Sequence, residues 1–302
     1  MILLVGATGR LGKAVAARLL QNDCKFRAAC RDVSKAKWLA DQGVEVLRYD
    51  AATGEGLANI LAGTTQVICC IHGLLGKSRL SIEQIDVRGQ ASLIDACANA
   101  SVDKFIFVSA LGASATHPSE FWRAKAKTEQ YLEASGLDYV IFRPSAFMDL
   151  YAHDLIGAAV MARKTVFLLG DGRIAKNMVG VADVADAVLI GLSRQDLSRQ
   201  TLEIRGPENL TDREVAQTYS ELSGNLPKLR VIPDIALRAL ALAIGPFHAG
   251  IARVLRNALL TTDHDKLDLK AIQDTEFLGI RSQSLRLFAQ AKVAAGNETA
   301  SQ

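Results

Sequence analysis

The stretch from Met1 to Gly12, MILLVGATGRLG, constrains this chain more than any other. Its five leading apolar residues, Met1 to Val5, are too few for a helix and suit a strand buried on both faces of a parallel sheet. Gly6, Gly9 and Gly12 follow at three-residue spacing, and Leu11, Val15, Leu19 and Leu20 then recur with a helical period among Ala14, Ala16 and Ala17. The spacing predicts strand, glycine turn, helix. Gly6 permits a tight turn, Gly9 lets a pyrophosphate approach the backbone, and Gly12 lets helix pack closely on strand. The helix N-terminus offers such phosphates free N–H groups and partial positive charge. Thr8, Arg10 and Leu11 fall in the same turn. The pattern is G-x-x-G-x-x-G rather than the common G-x-G-x-x-G. A bare glycine triplet would mean only a turn; the flanking strand and helix give it its meaning.

Downstream, short apolar runs alternate with helical patterns. Lys25–Arg31, Val44–Tyr49, Gln66–Ile71, Lys104–Val108 and Asp138–Phe142 read as strands. A short helix at 55–61 and longer ones at 81–98 and 117–135 lie between them. The second carries Ile82, Ile85, Leu93 and Ile94 on one face; the third has Pro118 in its first turn and Gly136 at its end. This alternation predicts an α/β fold, a Rossmann-type doubly wound parallel sheet with ligand at the strand C-termini.

Arg31 falls at the tip of the second strand, where an acid would accept from the ribose 2′-hydroxyl of NAD and an arginine would pair with the 2′-phosphate of NADP. With Arg10 and Lys35 nearby, Arg31 favours NADP(H) over NAD(H). Asp32 follows directly, and a solvated Arg31–Asp32 pair is the plainer alternative. Asp50, at the third strand tip, is placed to flank the adenine. His72 and Gly73 follow the fourth strand and Ser109 ends the fifth, so all three would line the cofactor path. A lone histidine there is more often structural than catalytic.

Beyond Phe147 the pattern loosens. We expect a helix over Phe147–Arg163, a strand at Thr165–Leu169, a turn at Gly170-Asp171-Gly172, and a helix capped by Asp183 and running through Leu192 with Asp186 in its first turn. Thr201–Arg205 reads as a strand, and Thr211-Asp-Arg-Glu214 as a capping box for a helix ending at Ser223. Residues 233–260 are rich in alanine and leucine and helical. The expected organisation is a nucleotide-binding domain over 1–147, a small C-terminal α/β substrate or partner region over 148–292 whose strands return to the main domain, and a frayed tail over 293–302.

Composition excludes several classes. The chain has 302 residues, 49% of them hydrophobic and 22% charged, with a net charge of +3, which is ordinary for a globular protein and too mild to imply nucleic acid. The apolar stretch Ile235–Phe247 is interrupted by Arg238 and too short to span a bilayer, so no transmembrane segment is expected. A strand beginning at Met1 leaves no room for a leader peptide, and a cytoplasmic location is expected. The five cysteines are odd in number and sit in apolar contexts, as free buried thiols do. No His or Cys spacing suggests a metal site. Arg238, Arg253 and Arg256 in the 235–260 segment would permit a membrane-surface or partner helix, but packing on the smaller region is the expectation.

Four motifs in order, GATGRLG, FVSALGAS, RAKAKTEQYLEASGLDYVIFRPS and VGVADVADAV, resemble the atypical short-chain dehydrogenase/reductases of the NmrA-like branch, over about Met1 to Leu192. The resemblance implies a domain binding NAD(P)(H) and a smaller region closing over a substrate. Dehydrogenases of that family carry Tyr-x-x-x-Lys on the helix after the fifth strand: the tyrosine exchanges a proton, and the lysine lowers its pKa and holds the nicotinamide ribose. The matching residues here are Phe121 and Lys125. Phe121 has no proton to exchange. Leu111 occupies the place of the catalytic Ser or Thr, with Ser109 two positions early, and Tyr131 lies on another face of the helix from Lys125. The resemblance therefore implies Lys125 as the one remaining catalytic residue, with Pro144, Ser145 and Phe147 beside the nicotinamide. Three readings follow from it. One is a reductase using Lys125 on a small molecule, which Phe121, Phe147 and Met148 suggest is apolar or aromatic. Another is a non-catalytic NADP(H)-sensing regulator. The third is an assembly factor acting through protein partners, since FMDLY at 147–151 and the alanine–leucine helix are loosely similar to a photosystem II assembly branch.

Overall fold

Strands whose side chains are apolar on both sides can only be satisfied inside a sheet covered on both faces. The computed structural model, which describes residues 1–169, 171–260 and 274–300, builds that sheet from seven parallel strands. In spatial order they are β3 (Glu45–Arg48), β2 (Phe26–Cys30), β1 (Ile2–Val5), β4 (Gln66–Cys69), β5 (Lys104–Val108), β6 (Tyr139–Pro144) and β10 (Gln200–Ile204). Residues sharing a strand go to opposite cores. Leu4, Ile68, Ile106 and Val140 pack under α1 (Arg10–Gln21) and α7 (Val181–Ser193). Leu3, Val67, Phe105 and Ile141 pack under α4 (Gln90–Asn99) and α5 (Glu120–Ala134). The chain order reverses between β1 and β4, which opens a crevice at the strand C-termini.

A third core, including Met148, Ile156, Met178, Val215, Tyr219 and Phe288, lies beyond β6. Around it stand a two-residue strand at Ala146–Phe147, a π-helical segment at Asp149–Gly157, α8 (Asp212–Ser223) and a helix over Leu285–Ala300. Thr211 and Glu214 form the expected capping box of α8. β8 (Thr165–Leu169) pairs in parallel with β12 (Lys228–Ile232).

Several local expectations are corrected. Phe147 ends a short strand instead of opening a helix. Met148 is fully buried in the third core and cannot gate a pocket. Gly180, not Asp183, caps α7; the Asp183 carboxylate accepts the N–H of Gln283 at 3.1 Å. Asp186 accepts from both Nε and Nη2 of Arg18, at 2.5 and 3.2 Å, so the acid expected to serve the helix dipole instead ties α7 to α1. Residues 233–260 form two helices, α9 (Asp234–Ile244) and α10 (Ala249–Asn257), broken around Gly245-Pro246. α10 rests on the loop after β4, against the seven-stranded sheet's side rather than on the smaller region. The tail expected to fray continues as helix to Ala300, while 301–302 lie outside the described residues. Gly170 of the expected turn also lies outside them. Among the described residues no helix is long and apolar enough to cross a membrane, no acid, His and Cys cluster suits a metal ion, and the cysteines are free.

Candidate functional site

The glycine turn leaves β1 with Gly6 at φ +94°, a backbone state that side chains resist. A Cβ on Gly12 would stand 2.1 Å from the Gly6 carbonyl oxygen, so only glycine lets α1 start this close to the strand. Gly9 is the N-cap of α1 and no side chain caps it, which leaves first-turn N–H groups directed at the crevice. Thr8 is half-buried beside them, whereas the Leu11 side chain points into the core and can offer only its backbone. Arg10 does not stand free. Its guanidinium pairs with Asp154 of the π-helical segment, joining the glycine turn to the smaller region.

On the β2–β3 side, Asp32 accepts from the Ser34 hydroxyl at 2.6 Å and from its N–H at 3.1 Å, capping the turn Val33–Ala36. Those bonds, the hydroxyl's first, hold its carboxyl below the usual range. Arg31 is exposed and has no ion pair among the described residues; Lys35 stays 3.8 Å from Asp32. Asp50, half-buried, turns one oxygen onto the Ala52 N–H at 2.9 Å.

The β4–β6 side is built around a buried ion pair. Lys125 lies one turn beyond Phe121 on α5, with only 2% of its side chain exposed. Its Nζ donates to the carbonyls of Ile71 at 3.4 Å and Val108 at 3.3 Å and stands 3.6 Å from Oδ1 of Asp86. Asp86 is wholly buried in a π-helical turn, Glu83–Gly89, that leads into α4. Its Oδ2 accepts the N–H of Gly73 at 2.6 Å, so that group is not free for a ligand. Burial pushes the Asp86 carboxyl up, with Lys125 and the Gly73 N–H pulling against it. Sequence reasoning missed Asp86, although an acid one turn after Ile82 on an apolar helix face was a legible signal.

Above this pair lies His72. The residue is exposed, and its ring meets Phe121 edge-on at 6.0 Å. Burial first, then the Lys125 charge, lowers its imidazole to about 4, so it is neutral at physiological pH. Phe121 is buried against His72 and Trp122, a plug where the family has a proton donor. Leu111 is buried as well. The Ser109 and Ser145 hydroxyls, at the tips of adjacent strands, are buried with no hydrogen-bond partner among the described residues. Pro144 ends β6 and Phe147 is half-buried just beyond.

One further arginine was misread. Arg253 of α10, grouped above with surface cations, is 3% exposed. It donates to the carbonyls of Leu74 at 2.9 Å, Gly76 at 3.1 Å and Ser78 at 2.6 Å, and pairs with Glu120 at 2.8 Å. It thereby clamps the loop whose first glycine holds Asp86.

A dinucleotide fits these residues on three observations: an uncapped helix N-terminus, a glycine cradle that a Cβ would fill, and two orphaned serine hydroxyls at the far end of the same crevice. The fold and site are those of a nicotinamide-dinucleotide-binding protein. The chain belongs to the NAD(P)H-binding family, whose model matches residues 6–194. It is 28% identical over 235 residues to the photosystem II assembly factor Ycf39 of Cyanophora paradoxa, covering 77% of this chain and 71% of that one. It is equally 28% identical over 226 residues to an NAD(P)H azoreductase of Xenophilus azovorans, covering 74% of each. Its fold is shared with the NADPH-dependent quinone oxidoreductase QOR2 of Escherichia coli, with a TM-score of 0.71 and 20% identity over 96% of this chain and 99% of that one.

Proposed function

We propose that this protein is an NADPH-dependent reductase of small, electron-poor aromatic or quinone-like acceptors. The carrying observation is Phe121, a buried hydrocarbon at the place of the proton donor, beside an imidazole held neutral. When bound, the nicotinamide supplies a hydride. The residues of this chain position and enclose, and they do not protonate. An acceptor whose reduced anion persists in water, as that of a quinone does, takes its proton from solvent and needs no protein acid. The quinone oxidoreductase and azoreductase likenesses support that acceptor class.

Each half of the crevice has its part. First-turn N–H groups of α1 receive the pyrophosphate. Arg31 meets the 2′-phosphate, favoured for NADP(H) because Asp32 is already committed to Ser34. Asp50 flanks the adenine. Ser109, Ser145 and Phe147 border the nicotinamide half, and Lys125 holds the ends of β4 and β5 in place beneath the ribose.

The test is calorimetric titration of NADPH and NADH, then NADPH consumption with quinones, azo dyes and other electron-poor aromatics. Turnover on any acceptor supports the reductase. Tight binding with turnover on none overturns it and gives the crevice to a cofactor-sensing or assembly role, which the Ycf39 likeness supports. Arg31→Ala should weaken NADPH by roughly tenfold or more while leaving NADH nearly unchanged; equal losses would remove Arg31 as the phosphate reader.

A further inference from the structure

Apart from Asp234 and Arg238, α9 is built of apolar residues on every side, as in a helix covered all round. It is covered on one. Leu237 and Ala241 are buried and Ile244 is half-buried on the side turned to α10. Helical spacing puts Ile235, Arg238, Ala239 and Leu242 on the opposite side, all exposed. Ile235 is 78% and Leu242 75% exposed, and Phe247, in the turn just after the helix, is 86% exposed. Large apolar side chains this bare on one short helix and the turn after it need an occupant.

We propose that the outer face of α9, with Phe247, lies in the interface of an anionic phospholipid bilayer. Charge makes the choice. Over residues 225–260 the exposed charged side chains are Lys228, Arg230, Arg238 and Arg256 against the one acid Asp234; Arg253 is consumed inside. Such a surface repels a second copy of itself and attracts phosphate headgroups. Size points the same way. An eleven-residue helix about 16 Å long offers far less than the roughly 800 Å² per partner of a standard protein interface. In a bilayer depth matters more than area. Ile235, Leu242 and Phe247 enter the acyl boundary while Arg238 reaches outward to the phosphates. The proposal is independent of what the crevice binds.

The experiment floats the full chain with vesicles of phosphatidylcholine alone or with about one-third phosphatidylglycerol. The chain should rise with the anionic vesicles, stay behind with the neutral ones, and be released by added salt. Leu242→Ser with Phe247→Ser should weaken partition about tenfold or more, and Arg238→Glu should weaken it in a salt-dependent way. All three positions are exposed, so an unchanged Tm and unchanged NADPH titration will show that the variants are intact. A wild-type chain that ignores anionic vesicles overturns the proposal, as does a serine variant that floats like wild type. Self-association abolished by Leu242→Ser, without flotation, assigns the face to a second copy and also overturns it.

Discussion

Lys125 and Asp86 stabilise each other where either alone would be costly. Removing one partner of a buried pair typically costs about 3–5 kcal/mol, because an uncompensated charge is left behind. Lys125→Met should therefore destabilise strongly at neutral pH. The stranded Asp86 carboxyl then binds a proton in the folded state at a pH where the unfolded chain does not, so the deficit should shrink as pH falls from 8 towards 5. Lys125→Met combined with Asp86→Leu should recover much of the loss. Urea denaturation of the three variants at both pH values checks this; additive single losses would mean that the pair is not coupled. His72 gives a second pH signature. Its folded pKa, about 4, lies below the unfolded 6.5, so the unfolded chain binds the extra proton between them and stability falls as pH drops through that window. NMR titration should show the ring neutral at pH 6, and His72→Phe should flatten the acid limb of the stability profile.

At the scale of elements, the glycine turn and α1 form one device. Gly12→Ala pushes a methyl group against the Gly6 carbonyl, and backbone must move to admit it. We expect the variant to lower Tm and to lose NADPH binding together, because the displaced atoms are those that define the phosphate cradle. Thr211→Ala, which breaks the capping box of α8, is the contrast. It should cost about 1 kcal/mol and leave NADPH affinity unchanged. Calorimetry and thermal melts on the two variants separate a cradle from a cap. The π-helical turn at Glu83–Gly89 belongs to this scale too: it accompanies the placing of Asp86 against Gly73 and Lys125, and such turns recur at functional sites.

At the scale of the molecule, Arg253 joins parts that are far apart in the chain. It fastens α10 to the loop after β4, and that loop fastens Asp86 through Gly73. Arg253→Met should release the loop. Hydrogen exchange should quicken across residues 73–79, and NADPH should bind more weakly. A fragment carrying only the adenosine 2′-phosphate half should bind as before. If both ligands weaken alike, Arg253 supports the whole fold rather than the nicotinamide side. Arg10–Asp154 and Arg18–Asp186 are comparable long-range ties, but both are more exposed and are worth less individually.

By itself the sequence determined the parallel sheet and the glycine turn, because each is written in neighbouring residues, as apolar runs of strand length and glycines at fixed spacing; its resemblance to the short-chain dehydrogenases placed Phe121, one helical turn before Lys125, where they carry a tyrosine. Only the tertiary structure decided what the charged residues do. Arg253 looked like a surface cation and is buried among carbonyls. Asp86 went unnoticed and is the partner of Lys125, while Asp183 also holds the Gln283 N–H and Asp186 holds Arg18 of α1. A hydrophobic period reports which side of an element faces inward. Which charge meets which, across gaps of tens to more than a hundred residues, depends on how loops and helices are brought together, and no local pattern encodes that.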